Sequence, residues 1–65
     1  MIAYETANTI FMVNKIEQYK LHDNYIIRFN DDAIYKSYET KEESELNYQE
    51  LCRFLKQDKL IIIKG

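Results

Sequence analysis

The sequence predicts an α+β fold: a small antiparallel sheet of three to four strands, in the order β-β-β-α-β, packed on one face by a single helix. Three observations predict it. Apolar residues alternate with polar ones between Ile16 and Tyr38, with two turn signals among them. A capping box, Thr40-Lys41-Glu42-Glu43, opens one helical stretch. An apolar run, Leu60-Ile61-Ile62-Ile63, follows that helix and is long enough for one buried strand.

The 65 residues make one domain, 1–65. A chain of that length buries only about 60% of its unfolded surface, so its core is marginal. With 46% hydrophobic and 14% aromatic residues it folds rather than staying disordered. Disulfides do not support the core, because Cys52 is the only cysteine. A lone cysteine fits a reducing compartment, most simply the cytoplasm. With no Pro and only Gly65, the turns are left to Asn and Asp.

Residues 1–9 are polar and weakly patterned, and read as a flexible lead or a segment laid over the sheet. Ile10 to Val13 starts a strand that Asn14-Lys15 interrupts and Ile16 to Leu21 resumes. His22-Asp23-Asn24 reads as a three-residue hairpin loop, which sets Leu21 opposite Tyr25 and Tyr19 opposite Ile27. Asp31-Asp32 reads as a second, tighter turn, setting Phe29 opposite Ile34, Ile27 opposite Lys36 and Tyr25 opposite Tyr38. Directly opposed residues share a sheet face. Both turns therefore imply one apolar face of Tyr19, Leu21, Tyr25, Ile27, Phe29, Ile34 and Tyr38.

The helix begins after Thr40, whose hydroxyl can accept from the Glu43 N–H while Glu43 reaches back to the Thr40 N–H. It should run to about Gln57. At roughly 100° per residue, Ser44, Tyr48, Leu51, Cys52 and Leu55 face the sheet. Phe54 sits at the border of that face, and Leu46 points away. The final strand is apolar on both sides, so it needs cover on both. One helix covers one face; residues 1–9, a second copy or another partner must cover the rest.

Nothing in the sequence assembles an acid, a base and a nucleophile, so the expectation is a protein that is not an enzyme. His22 reads as an exposed turn residue and Cys52 as a small buried hydrophobe. Asp31 and Asp32 lack the spacing of a calcium loop, and one Cys with one His cannot make a structural zinc site. No metal or other cofactor is expected. The apolar runs fall short of the roughly 20 residues of a membrane span. Met1 to Glu5 lacks the basic-then-apolar pattern of a signal peptide.

Binding is the expected function, and two surfaces are candidates. The first is a protein-binding face of Glu43, Leu46, Glu50 and Phe54 on the helix, with Ile61 and Ile63 of the last strand. The glutamates would meet a basic partner, and the apolar residues a second copy or a host complex. The second is a mixed sheet face with Lys20, Arg28 and Tyr35, able to hold nucleic acid by charge and stacking. The net charge of −2 favours the first. Residues with AT-rich codons (Ile, Lys, Asn, Tyr, Phe, Met) make up nearly half the chain, as in an AT-rich bacterial genome or its phages. The leading expectation is a non-enzymatic interaction module, concretely a phage or mobile-element inhibitor of a host complex. In size, acidity and apparent genome, though in no motif, the chain is similar to the anti-CRISPR proteins. The alternative is a small nucleic-acid-binding regulator.

Overall fold

A computed structural model describes residues 1–65. Six strands and one helix follow in chain order: β1 (Ile2–Glu5), β2 (Ile10–Met12), β3 (Ile16–Leu21), β4 (Asn24–Phe29), β5 (Ala33–Tyr38), α1 (Lys41–Leu55) and β6 (Ile61–Lys64). The fold is α+β, with the helix packed on the β3-β4-β5 meander. The expected single sheet is joined by a second, ordered β2-β1-β6. In it β1 runs antiparallel to β2 and parallel to β6. The first residues therefore form the central strand of a sheet, and the final strand pairs with them rather than with the meander.

The inner face of the meander carries both the helix and the second sheet. Ile27, Phe29 and Tyr38 from the meander meet Leu51 from the helix and Ile2, Tyr4 and Val13 from the N-terminal hairpin in one core. Four aromatic rings weld the two sheets. Tyr4 stands edge-on to Phe11, Phe29 and Tyr35 at centroid distances of 5.7, 5.2 and 5.6 Å, while Phe29 and Tyr35 stack at 4.9 Å. Edge-to-face and offset-stacked pairs add favourable electrostatics to the area they bury.

Two registers differ from expectation. The first hairpin turns on His22-Asp23 alone, so Leu21 opposes Asn24 and Tyr19 opposes Ile26. His22 takes the left-handed φ of 56°. A one-residue slip exchanges the faces of a whole strand. Ile16, Gln18 and Lys20 thus lie on the inner face, and Tyr19 and Leu21 on the outer. The inner set is the useful one, because Ile16 packs against the core and Gln18 donates to the Ser44 hydroxyl at 2.9 Å. That bond satisfies a fully buried serine.

The second hairpin keeps Tyr25 opposite Tyr38 and Ile27 opposite Lys36. A bulge then inserts Tyr35, so Arg28 faces Ile34 and Phe29 faces Ala33. The bulge turns Tyr35 into the core and puts Ile34 outside. Asn30 and Asp31 both have left-handed φ, 54° and 68°, and the Asp32 N–H closes onto the Phe29 carbonyl at 3.1 Å. Two consecutive positive φ values are the mark of the primed hairpin turn that matches strand twist.

The helix starts where the capping box places it. The Glu43 N–H donates to the Thr40 hydroxyl at 3.3 Å, but the Glu43 carboxylate returns to that hydroxyl at 3.0 Å rather than to the Thr40 N–H. At the other end, the Met1 ammonium donates to the carbonyls of Phe54 and Lys59, each at 3.1 Å, and to that of Gln57. These bonds tie the start of β1 to the segment after α1, and a positive charge near the helix C-terminus complements its dipole.

Candidate functional site

The proposed helix face divides in two. Glu43, Leu46 and Glu50 are exposed, Leu46 by 69%. Phe54 is half-buried against the core, with the Arg53 guanidinium 5.9 Å above its ring. Leu46 and Phe54 do not share a spot, because eight residues separate them by about 12 Å along the axis. Ile61 and Ile63 also leave the predicted surface. They stand opposite Ile2 and Tyr4 and turn with them toward the core.

The nucleic-acid trio is dispersed as well. Lys20 lies on the inner face, its ammonium 5.6 Å from the centre of the Tyr25 ring. Arg28 lies on the outer face over Tyr19, at 5.2 Å, and binds Glu17 Oε1 through Nη2 at 3.1 Å and Nε at 3.3 Å. The Glu17 carboxylate holds the guanidinium pKa above its usual value. Tyr35 is drawn into the aromatic core by the bulge, and burial raises its phenol pKa.

A different basic-aromatic group does assemble. Lys20, Tyr25 and Tyr38 form one row across β3, β4 and β5, and the Lys36 ammonium lies 5.6 Å from the centre of the Tyr38 ring. Gln18, Tyr19, Lys20, Tyr25 and Lys41 line an open groove of about 410 Å³. Neither Lys20 nor Lys41 is in an ion pair.

A second feature is the outer face of the β2-β1-β6 sheet. Ile10 and Met12 on β2, Ala3 and Glu5 on β1, and Ile62 and Lys64 on β6 share it by register. Met1 and Leu60 extend it by one step. Met1, Ile10, Met12, Leu60 and Ile62 are 45–55% exposed. They account for five of the eight large apolar side chains that the protein exposes. Single exposed apolar residues are ordinary, but a contiguous group is not. The sequence showed that half of Leu60 to Ile63 needs cover but not which half, and the rest of this face was hidden because residues 1–9 have little alternation.

No group of three or more His, Cys, Asp or Glu side chains is placed to hold a metal ion. Cys52 is half-buried, and its thiol beside Tyr48 raises the Tyr48 phenol pKa. No helix is long and apolar enough to cross a membrane. Comparison with protein families, curated proteins and solved structures finds no match for this chain.

One polar group in the core has no partner. The Tyr38 hydroxyl is buried without a hydrogen bond, and burial, with smaller effects from Tyr35 and Glu43, pushes its pKa up to about 12. The unfolded phenol releases its proton near 10, before the native one does. Tyr38 therefore contributes full stability below pH 10 and loses it as pH rises toward about 12. Tyr38→Phe is expected to flatten part of that alkaline fall. At pH 7 it should stabilise the protein by about 1 kcal/mol, by removing an unsatisfied hydroxyl. Urea midpoints at neutral and alkaline pH check both outcomes.

Proposed function

We propose that the protein is a non-enzymatic protein-binding module that works through the outer face of its β2-β1-β6 sheet. The observation that carries this reading is the clustering of Met1, Ile10, Met12, Leu60 and Ile62 on one sheet face. Apolar patches of this kind commonly mark contact sites. The helix contributes a separate acidic surface, Glu43 and Glu50 around Leu46, which suits steering toward a basic partner more than anchoring one. Inhibition of a host complex by a phage or mobile-element protein is the concrete role this reading carries forward.

Photo-crosslinking residues placed at Met12, Ile62 and Leu46 in producing cells test it. Adducts are expected from Met12 and Ile62. Adducts from Leu46 alone would move the working surface to the helix and overturn the reading.

The groove lined by Lys20, Tyr25 and Lys41 supports a second reading, binding of single-stranded nucleic acid. It predicts oligonucleotide binding at low salt that weakens steeply as salt rises and is lost in Lys20→Glu/Lys41→Glu. Absence of binding at low salt removes it.

A further inference from the structure

We propose that the occupant of the outer β2-β1-β6 face is the same face of a second copy of this chain, related by a twofold axis. This rests on the protein-binding reading above and names the partner.

Charge is the first reason. The face carries one acid and one cation, Glu5 and Lys64, and they are cross-strand neighbours. A nucleic acid selects net positive charge and a basic protein selects net negative charge. This face offers neither, and a copy of itself requires neither. Its two charges lie at one end of the face, where Glu5 can approach the Lys64 of the second copy.

Relief is the second reason. Met12, Ala3 and Ile62 form one row across the three strands. Ala3 is sunk between them at 4% exposure, while Met12 and Ile62 stand up at 45% and 54%. A row of large, small, large matches its own copy when displaced by one strand. The Ile62 of each copy then drops over the Ala3 of the other, and the layers interdigitate as facing sheets do. A twofold contact needs this kind of self-complementary surface.

Size sets the strength. Five large apolar side chains, each about half exposed, make a patch on the order of 300–600 Å², the range of the largest patch on a typical monomer. Overlapping across two of their three strands, two such faces bury roughly 400–800 Å² together, below the usual size of a stable specific interface. The dimer is accordingly weak, with a dissociation constant on the order of micromolar or above.

Sedimentation velocity on the purified chain, from about 1 µM to about 1 mM, tests the proposal. The expected result is a reversible monomer–dimer equilibrium. Ile62→Glu should weaken it by about tenfold or more, since it would bury an unpaired carboxylate, and Met12→Glu, at the edge of the overlap, should weaken it less. Leu46→Glu, on the far helix surface, should leave it unchanged. Circular dichroism establishes that each variant is folded. Should a variant not fold, a photo-crosslinker at Met12 in an isotopically mixed sample gives the second readout. The expected adduct joins Met12 of one copy to the Leu60–Lys64 segment of another.

A monomer at every concentration, or a dimer that neither glutamate variant weakens, overturns the proposal. A strict monomer whose Met12 crosslinks a different protein in a lysate overturns the second copy and preserves the binding-face reading. A strict monomer that crosslinks nothing through Met12 or Ile62 overturns both.

Discussion

Phe29→Ala is expected to leave the protein largely unfolded at 37 °C. Phe29 is fully buried, stacked on Tyr35 and met edge-on by Tyr4. It therefore joins the meander, through its own strand and the bulge, to the central strand of the second sheet. Truncating a buried Phe to Ala costs about 3–5 kcal/mol, from lost transfer energy and the cavity left behind. A domain of this size has a total stability of about 3–10 kcal/mol. The loss is thus comparable with the whole. The aromatic cluster cannot collapse readily into the gap, because Tyr4 and Tyr35 belong to different sheets and each is held by its strand. Urea unfolding followed by circular dichroism measures the effect. Ile34→Ala is the matched control: Ile34 is 55% exposed on the outer face of the meander, and its loss should cost well under 1 kcal/mol. Equal effects from the two substitutions would mean that the core does not lie between the sheets.

The contrast between Phe29 and Ile34 also shows where the fold was legible in the sequence. A turn was visible at Asp31-Asp32, because only Asn and Asp were available to take left-handed backbone, although the structure turns one residue earlier, on Asn30-Asp31. The Tyr25–Tyr38 and Ile27–Lys36 pairs followed from it. The bulge at Tyr35 was not visible, since a bulge changes register without changing composition. Phe29 and Ile34 consequently looked like partners, although one is core and the other is exposed. The helix was legible because a capping box and a 3.6-residue period are local signals. The strand β1 was not, because Ile2-Ala3-Tyr4-Glu5 is short and its stability comes from β2 and β6, which are remote in sequence on one side.

The candidate surface followed the same division. It was legible that half of Leu60 to Ile63 would lack cover, but the run gives no phase. Register with β1 sets the phase: Ile61 and Ile63 go inward, Leu60 and Ile62 outward. Neighbours on that outer face could not be read either, since Met12 and Ile62 are 50 positions apart and meet only across β1. The Lys20, Arg28 and Tyr35 grouping failed for a related reason. A one-residue turn difference moved Lys20 to one face, and the bulge moved Tyr35 into the core.

Asn30→Ala is expected to cost about 3–4 kcal/mol, although Asn30 is not fully buried. Its side-chain Oδ1 accepts from the Asn14 N–H at 2.7 Å and the Lys15 N–H at 3.1 Å, and its Nδ2 donates to the Met12 carbonyl at 2.8 Å. Its own N–H donates to the Lys15 carbonyl at 3.0 Å. One residue in the meander turn thus fastens the connection through which the chain passes from the second sheet into the meander. Each hydrogen bond contributes about 1 kcal/mol net, so losing three side-chain bonds costs about 2–3. Alanine adds about 1 kcal/mol more, because φ is 54° and a Cβ without a local polar compensation disfavours that region. Asn30→Gly separates the two contributions: it relieves the backbone, loses the same bonds, and should cost about 1 kcal/mol less than Asn30→Ala. The adjacent Lys15–Asp31 ion pair, at 3.0 Å, lowers the Asp31 carboxyl pKa but is exposed on both sides. Such a pair contributes little and cannot replace the clamp. Hydrogen exchange supplies a local test. The Asn14 and Lys15 amides should exchange faster in both variants, while the Gln18–Ser44 contact on the far side of the meander keeps its neighbours protected. If those two amides exchange as slowly in Asn30→Gly as in the wild type, the side-chain clamp is not what holds the sheets together. Because Met12 is both the clamped carbonyl and part of the exposed apolar face, Asn30→Gly should also loosen that face and weaken any contact made through it.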